Sequence, residues 1–340
     1  MRALVTGGAG FIGSMVADGM LAEGWHVTAL DSFDGYYDPA QKRRNVARAL
    51  AGPRYRLVEA DVRDRAAVAA AFDAAAPEVV VHLAARAGVT PSVADPLAYV
   101  TTNEVGTLHV LEECRRRRGT PLVLASTSSV YGSGATAPFR EDDPRAAPLS
   151  PYAVTKRASE LMALTYHHLF GQPLAILRFF TVYGPRGRPD MAFWLFTRAL
   201  RRGDPIRIRG ADTARDFTYV GDVVEGVLGA ARWVCAGRGA EVFNIGRSEP
   251  HRVLDVLQRL AARMHVEPRV ELAALHPSEC GVTAADVTRA AAAFGYRPRT
   301  SLDAGIDAWL GWVDHSDEAP AALRAPGEAV DGGGFGRGAP

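Results

Sequence analysis

Cysteine is scarce in this chain of 340 residues: Cys114, Cys235 and Cys280 are widely scattered and odd in number. They show no metal-ligand spacing and fit a reducing cytoplasm, so neither a metal nor a disulfide framework enters the reading. No apolar run reaches membrane-spanning length, and the first residues form a strand rather than a cationic, apolar leader. A formal net charge of only +1 removes bulk attraction to nucleic acid or to a membrane surface. The one dense basic run, Cys114 and the four arginines up to residue 118, closes a helical stretch and reads as a solvated helix end. No internal repeat is evident.

What is present is alternation. The segments ALVT, HVTAL, YRLVEA, EVVVHLA, PLVLAS and PLAILRF are short and β-rich, and helical stretches separate them. That order implies an α/β fold, a Rossmann-type doubly wound parallel sheet covered on both faces. The pattern breaks after Phe180 and returns with GDVVEGVLGAARWV and EVFNIG. We therefore expect a nucleotide-binding domain over 1–180, completed by about 216–246. A smaller mixed α/β substrate lobe takes 181–215 and 247–312. Residues 316–340, rich in Ala, Gly, Pro and charge, read as a disordered tail.

Two local patterns carry chemistry. MRALVTGGAGFIGS runs a strand into Gly7, Gly10 and Gly13 and then a helix, which is where a backbone turns tightly, approaches a pyrophosphate and presents a helix N-terminus to it. Asp31 follows the second strand, where an acid can bond the adenosine ribose. It would repel a 2′-phosphate, and no arginine follows among Ser32, Phe33 and Asp34, so NAD is favoured over NADP. The second pattern is Tyr152 and Lys156, four apart and so on one face of a helix. A phenol titrates near pH ~10 and becomes a useful base only if a neighbouring cation favours the phenolate, which Lys156 could be. Alone, the pair could equally be an exposed Tyr and Lys.

Together with HLAARAGV, Asn103, TSSVYG, LRFFTVYGPRGRPDMA and RDFTYVGDVVEG, these motifs resemble the extended short-chain dehydrogenase/reductases that act on nucleotide sugars, over nearly the whole chain to about residue 312. The resemblance implies catalytic Thr127, Tyr152 and Lys156, bound NAD and a diphosphate sugar between the lobes. It also implies a cofactor set in which Phe11, Ile12 and Ser32 join the glycines and Asp31. Asp61 and Val62 would lie near adenine, Leu83, Ala84 and Ala85 would flank the cofactor's middle, and Asn103 would complete the set. A homodimer through the helices beginning near Asp95 and Tyr152 is implied too.

The two residues after Thr127 discriminate among reactions in this family. Dehydrating members resemble Thr-Asp-Glu there and decarboxylating ones Ser-Glu, whereas this chain has Ser128 and Ser129. Neither hydroxyl is a useful acid or base at neutral pH, which leaves oxidation and re-reduction at one carbon. LRFFTVYGPRGRPDMA and DSFDGYYDPAQKRR are most similar to the UDP-glucuronate 4-epimerase branch. Ser128, Ser129 and Thr181 would then give a uronate carboxylate three hydroxyl donors. Arg188 and Arg215 are candidate anion binders for the diphosphate, Arg207 could pass the uracil, and Glu279 falls where the family often has an acid at the nucleoside ribose. Arg86 stands where this branch usually has Gln, while Thr90, Pro91 and Ser92 replace Arg-Tyr-Ser, so Arg86 is a candidate sugar ligand. Arg186 reads as a solvated loop charge, and His82, His167 and His168 as structural. A neutral UDP-glucose/UDP-galactose epimerase, a decarboxylase or net oxidoreductase, and a non-enzymatic NAD-binding regulator remain the alternatives.

Overall fold

The first thirty residues set the frame. Four buried residues of β1 (Arg2–Thr6) lead through the glycines to α1 (Phe11–Ala22), and the chain returns as β2 (His26–Asp31), parallel to β1. In the computed structural model, which describes residues 1–117 and 119–323, this unit repeats. Helix α2 (Pro39–Leu50), capped by Asp38, leads to β3 (Tyr55–Glu59), and α3 (Arg65–Ala75), capped by Asp64, leads to β4 (Val79–His82). Carboxylate caps of this kind satisfy N–H groups that the first helical turn leaves unpaired. Short helices α4 (Val89–Ala94) and α5 (Pro96–Tyr99) and a π-helical turn at Val100–Val105 lead into α6 (Gly106–Arg116). Then come β5 (Leu122–Thr127), α7 (Pro151–Phe170) and β6 (Leu174–Phe179). Arg118, the last of the basic run, lies outside the described residues.

β7 (Thr181–Tyr183), α8 (Ala192–Arg202), β8 (Ile206–Arg209) and β9 (Ala214–Tyr219) precede α9 (Val220–Cys235) and β10 (Ala240–Ile245). β10 joins the main sheet, whose order is β10-β6-β5-β4-β1-β2-β3, with its pairings parallel. The strands beside β1 are β2 on one side and β4 on the other, so the order reverses there and a crevice opens at the strands' carboxyl ends. β11 (Pro250–Arg252), α10 (Val253–Arg263), β12 (Val270–Ala273), α11 (Thr288–Phe294) and α12 (Leu302–His315) complete the chain to residue 315. Two small sheets, β11-β9-β7 and β12-β8, belong to a second apolar core built around Phe193, Leu257, Trp309 and Trp312.

One expectation fails here. Residues 316–323 are not a solvated tail: Ala319 is 3% and Leu323 0% exposed, and both pack into the second core. Apolar residues at these two positions are enough to seat a segment whose average composition looks unfavourable. Residues 324–340 lie outside the described residues.

Candidate active site

The site begins at the glycine turn. Gly7 has φ +69°, and a Cβ on Gly13 would stand 2.0 Å from the Gly7 carbonyl oxygen, so this crossing of turn and helix admits only hydrogen at Gly13. The α1 N-terminus at Gly10 has no side-chain cap and no acid in its first turn. Unpaired N–H groups and a tight backbone suit a pyrophosphate, so these residues fit a dinucleotide. Asn45 of α2 braces the turn by donating to the Ala9 carbonyl at 3.0 Å. Asp31, 5% exposed, accepts from the N–H groups of Ala9 and Phe33 at 3.1 and 2.9 Å. Lys42 Nζ lies 3.4 Å from Oδ1, the oxygen that also accepts from Phe33. Sequence reading missed Lys42, which stands eleven residues from Asp31 and meets it only because α2 folds back over β2.

From this turn one cleft of about 390 Å³ runs along the carboxyl ends of the strands. Gly7, Gly10, Phe11, Ile12, Gly13, Asp31 and Ser32 line its cofactor end, with Asp61, Val62, Leu83, Ala84 and Ala85 further along. Arg86, Thr127, Ser128, Ser129, Tyr152, Lys156, Thr181 and Arg188 line the remainder. Asn103 does not line the cleft. It is fully buried, accepts from the Arg86 N–H at 2.8 Å and donates to the Arg86 carbonyl at 3.0 Å, so it holds the cleft wall from behind. The π-helical turn that carries it has no distinct local sequence signal.

Arg207, Arg215 and Glu279 also stand outside the cleft lining. Arg207 is exposed on β8, Glu279 pairs with Arg209 at 3.3 Å, and Arg215 donates to the Gly281 carbonyl at 2.9 Å. Arg215 reaches the 279–281 segment that carries Glu279, whereas Arg207 stands across from Glu271 of β12. Cys280 of that segment donates to the carbonyl of Gly132, just past the serine turn, at 2.8 Å. Family position placed Arg207, Arg215 and Glu279 by the sugar nucleotide; the fold sets them on β8, on β9 and in the segment after β12, beyond the cleft lining.

The reactive end is set by β5 and α7. Thr127 ends β5, and its Oγ1 accepts from the Ser129 N–H at 3.2 Å and donates to Ser129 Oγ at 3.2 Å, which folds Ser128–Tyr131 into a 3-10 turn. Ser150 caps α7 and Pro151 opens it, which places Tyr152 in the first turn and Lys156 one turn on. Lys156 is 3% exposed, and this burial lowers its ammonium to about 8 against the pull of Glu160. Burial raises the Tyr152 phenol, while the Arg188 charge and a hydrogen bond with Thr127 draw it back down. Spacing assigned that tuning to Lys156; Arg188, from a loop 36 residues further on, brings a further cation whose charge lowers the phenol against the effect of burial.

Behind this wall, burial alone would raise Glu160, yet Arg178, Ser126 and Arg157 hold it below its usual value. Arg178, 2% exposed, grips it at 2.8 and 2.9 Å. The pair ties β6 to α7 and fixes the helix that carries Tyr152 and Lys156. His82 is buried between Thr6 and Thr107, at 2.6 and 3.0 Å, as expected of a structural histidine.

Over the end of the cleft away from the glycine turn two loops meet. Arg188 donates to Asp190 through Nε and Nη2 at 3.0 and 2.7 Å, and Tyr36 donates to the same carboxylate at 3.2 Å. Arg86 lies 3.5 Å from both Asp34 and Asp95. Tyr36 and Tyr37 line the cleft and were not singled out from the sequence, although the segment 31–44 stood out as family-like. With this geometry in place, comparison with known proteins is informative. Residues 3–246 match the profile of the NAD dependent epimerase/dehydratase family. The chain belongs to that family. It is 39% identical to UDP-glucuronate 4-epimerase 1 of Arabidopsis thaliana over 91% of this chain and 76% of the plant protein. It is 36% identical to UDP-glucuronate 4-epimerase of Thermodesulfobacterium geofontis (strain OPF15), over 94% of this chain and 98% of the relative. The crystal structure of UDP-glucuronic acid 4-epimerase from Bacillus cereus with UDP-glucuronic acid and NAD superposes with a TM-score of 0.86 at 34% identity, covering 92% of this chain and 99% of that one.

Proposed function

We propose that the protein interconverts UDP-glucuronate and UDP-galacturonate by epimerising C4 through a 4-keto sugar, with NAD as its resident cofactor. The observation that carries this reading is the turn Thr127–Ser129, which faces the cleft beside Tyr152 and offers hydroxyls but no acid or base for a second proton transfer. Bound NAD would accept two electrons and one hydrogen from C4 and return them to the other face of the ring. Tyr152 would take the C4 hydroxyl proton and give it back, Thr127 would hold that oxygen, and Arg188 would favour the phenolate. Lys156 would face the nicotinamide ribose, while Asn103 would act through the Arg86 segment rather than by contact. Ser128, Ser129 and Thr181 would hold the carboxylate, and Arg215, Arg207 and Glu279 would meet the UDP portion only where it leaves the cleft.

Consumption of UDP-glucuronate with catalytic NAD and no rise in NADH absorbance supports this reading. Stoichiometric NADH or release of carbon dioxide would replace it with an oxidoreductase or a decarboxylase.

Charge at the ribose end gives a second expectation. Asp31→Ala should relax discrimination against NADP by about tenfold or more, because it removes a carboxylate and leaves Lys42 facing the ribose position. The ratio of kcat/KM for the two cofactors measures this, and an unchanged ratio would assign selectivity elsewhere.

Lys156 sets a third. Its charge is present below about 8 and is lost as pH rises through that value, so kcat should decline between pH 7 and 9. A flat profile to pH 9 would show that turnover does not need the ammonium.

We place the protein in the cytoplasm, which suits its three free thiols. Among the described residues no helix is long and apolar enough to cross a membrane. A homodimer is supported by apolar side chains exposed along α4, α5 and α7: Val93 is 54%, Leu97 70%, Val154 52% and Leu161 51% exposed.

A further inference from the structure

Arg186 was expected to be a solvated loop charge, and the structure overturns this: it is 4% exposed. Its backbone has φ +65°, in the left-handed region that a residue with a Cβ seldom occupies. Its guanidinium meets two other parts of the fold. Nε and Nη2 each donate to the Glu318 carboxylate at 2.8 Å, a bidentate pair. Nη1 lies 3.0 Å from Asp18 of α1, an ionic contact without hydrogen-bond alignment. Glu318 belongs to the segment 316–323 that Ala319 and Leu323 seat in the second core, and its carbonyl accepts from Gln41 of α2 at 3.4 Å. One buried arginine thus joins the glycine-turn helix, the end of the described chain and the loop after β7.

That loop carries Arg188 two residues later. Inside it the Gly187 N–H reaches the Gly184 carbonyl at 3.0 Å, the Met191 N–H reaches the Arg188 carbonyl at 3.1 Å, and Arg188 forks onto Asp190. Gly184 has φ +134°, a backbone conformation open to glycine, and a Cβ there would stand 2.8 Å from Val220. A left-handed residue in such a loop persists where its surroundings over-determine it, and the fork to Glu318 does that here.

We infer that Arg186 and Glu318 are positioning residues for the reaction, an anchor that holds the loop 184–191 so that Arg188 stays in the cleft beside Tyr152. The segment after α12 is therefore part of the site's support. This rests on the proposed function in one respect, that Arg188 meets an anion of the substrate.

Glu318→Gln keeps the shape and removes the charge. It should speed amide hydrogen exchange across 184–191 relative to wild type and raise KM for UDP-glucuronate about tenfold, since only the fraction of molecules with Arg188 in place binds well. Arg186→Lys, which keeps the charge but loses the fork, carries the same expectation should Glu318→Gln prove unstable. Leu260→Ala, in α10, removes apolar packing from the second core without touching the ion pair and should lower Tm with KM unchanged. Wild-type exchange across 184–191 in Glu318→Gln would overturn the anchor. Faster exchange with a wild-type KM would overturn positioning, as would an equal KM rise in Leu260→Ala. If wild-type protein does not turn over UDP-glucuronate, the functional reading fails, and hydrogen exchange still decides the anchor.

Discussion

Tyr152→Phe should lower the epimerisation rate by about a hundredfold or more, because it removes the group that takes and returns the C4 hydroxyl proton. The fold should survive. Tyr152 lies at the cleft wall, where its ring meets that of Tyr99 edge-on at 6.1 Å between centroids, a contact that phenylalanine keeps. Initial rates at saturating NAD, with Tm as the control, measure the effect. Turnover near the wild-type rate with an unchanged Tm would remove Tyr152 from the mechanism, and attention would pass to Tyr36 and Tyr37, the other phenols in the cleft.

The second large effect concerns which product forms. Oxidation at C4 places a ketone β to the C6 carboxylate, and such an acid loses carbon dioxide when the C5–C6 bond aligns with the carbonyl π system. An epimerase must keep that bond near the carbonyl plane and keep the anion solvated. Thr181 opens β7 on one side of the cleft and the Ser128–Ser129 turn follows β5 on another, so hydroxyls from separate elements are available to hold one group. Thr181→Val, or Ser128→Ala together with Ser129→Ala, should slow epimerisation and raise the share of UDP-4-keto-pentose or its reduced pentose. Losing about 1.4 kcal/mol of preference for the held geometry shifts the partition about tenfold. UDP-galacturonate as the sole product at the wild-type rate would mean the carboxylate is held elsewhere, with Arg86 and Arg188 next in line.

The parts of the protein that local sequence could encode were legible. Alternation of short β-rich segments and helices pointed to the parallel sheet, and β1 to β6 fall where those segments do, because strand burial and helix capping are written within a few residues. The glycine turn, Asp31 and the Tyr152–Lys156 spacing were legible for the same reason. What was missed depends on residues far apart in the chain. Arg186 looked solvated because Glu318, 132 residues on, is what desolvates and pairs it. The Tyr36–Asp190 contact spans 154 residues, and the charge of Arg188 reaches Tyr152 only because the fold brings its loop to the cleft. Arg207, Arg215 and Glu279 were named from family position, and the strands that carry the two arginines in the second lobe are set by pairings between distant segments.

The central claim is tested most directly by incubating the full chain and NAD with UDP-glucuronate and, separately, with UDP-glucose, and identifying the sugar products by NMR. The account predicts UDP-galacturonate from the first, at equilibrium with its substrate and without pentose, and little conversion of the second. Conversion of UDP-glucose to UDP-galactose with UDP-glucuronate left unchanged would contradict it.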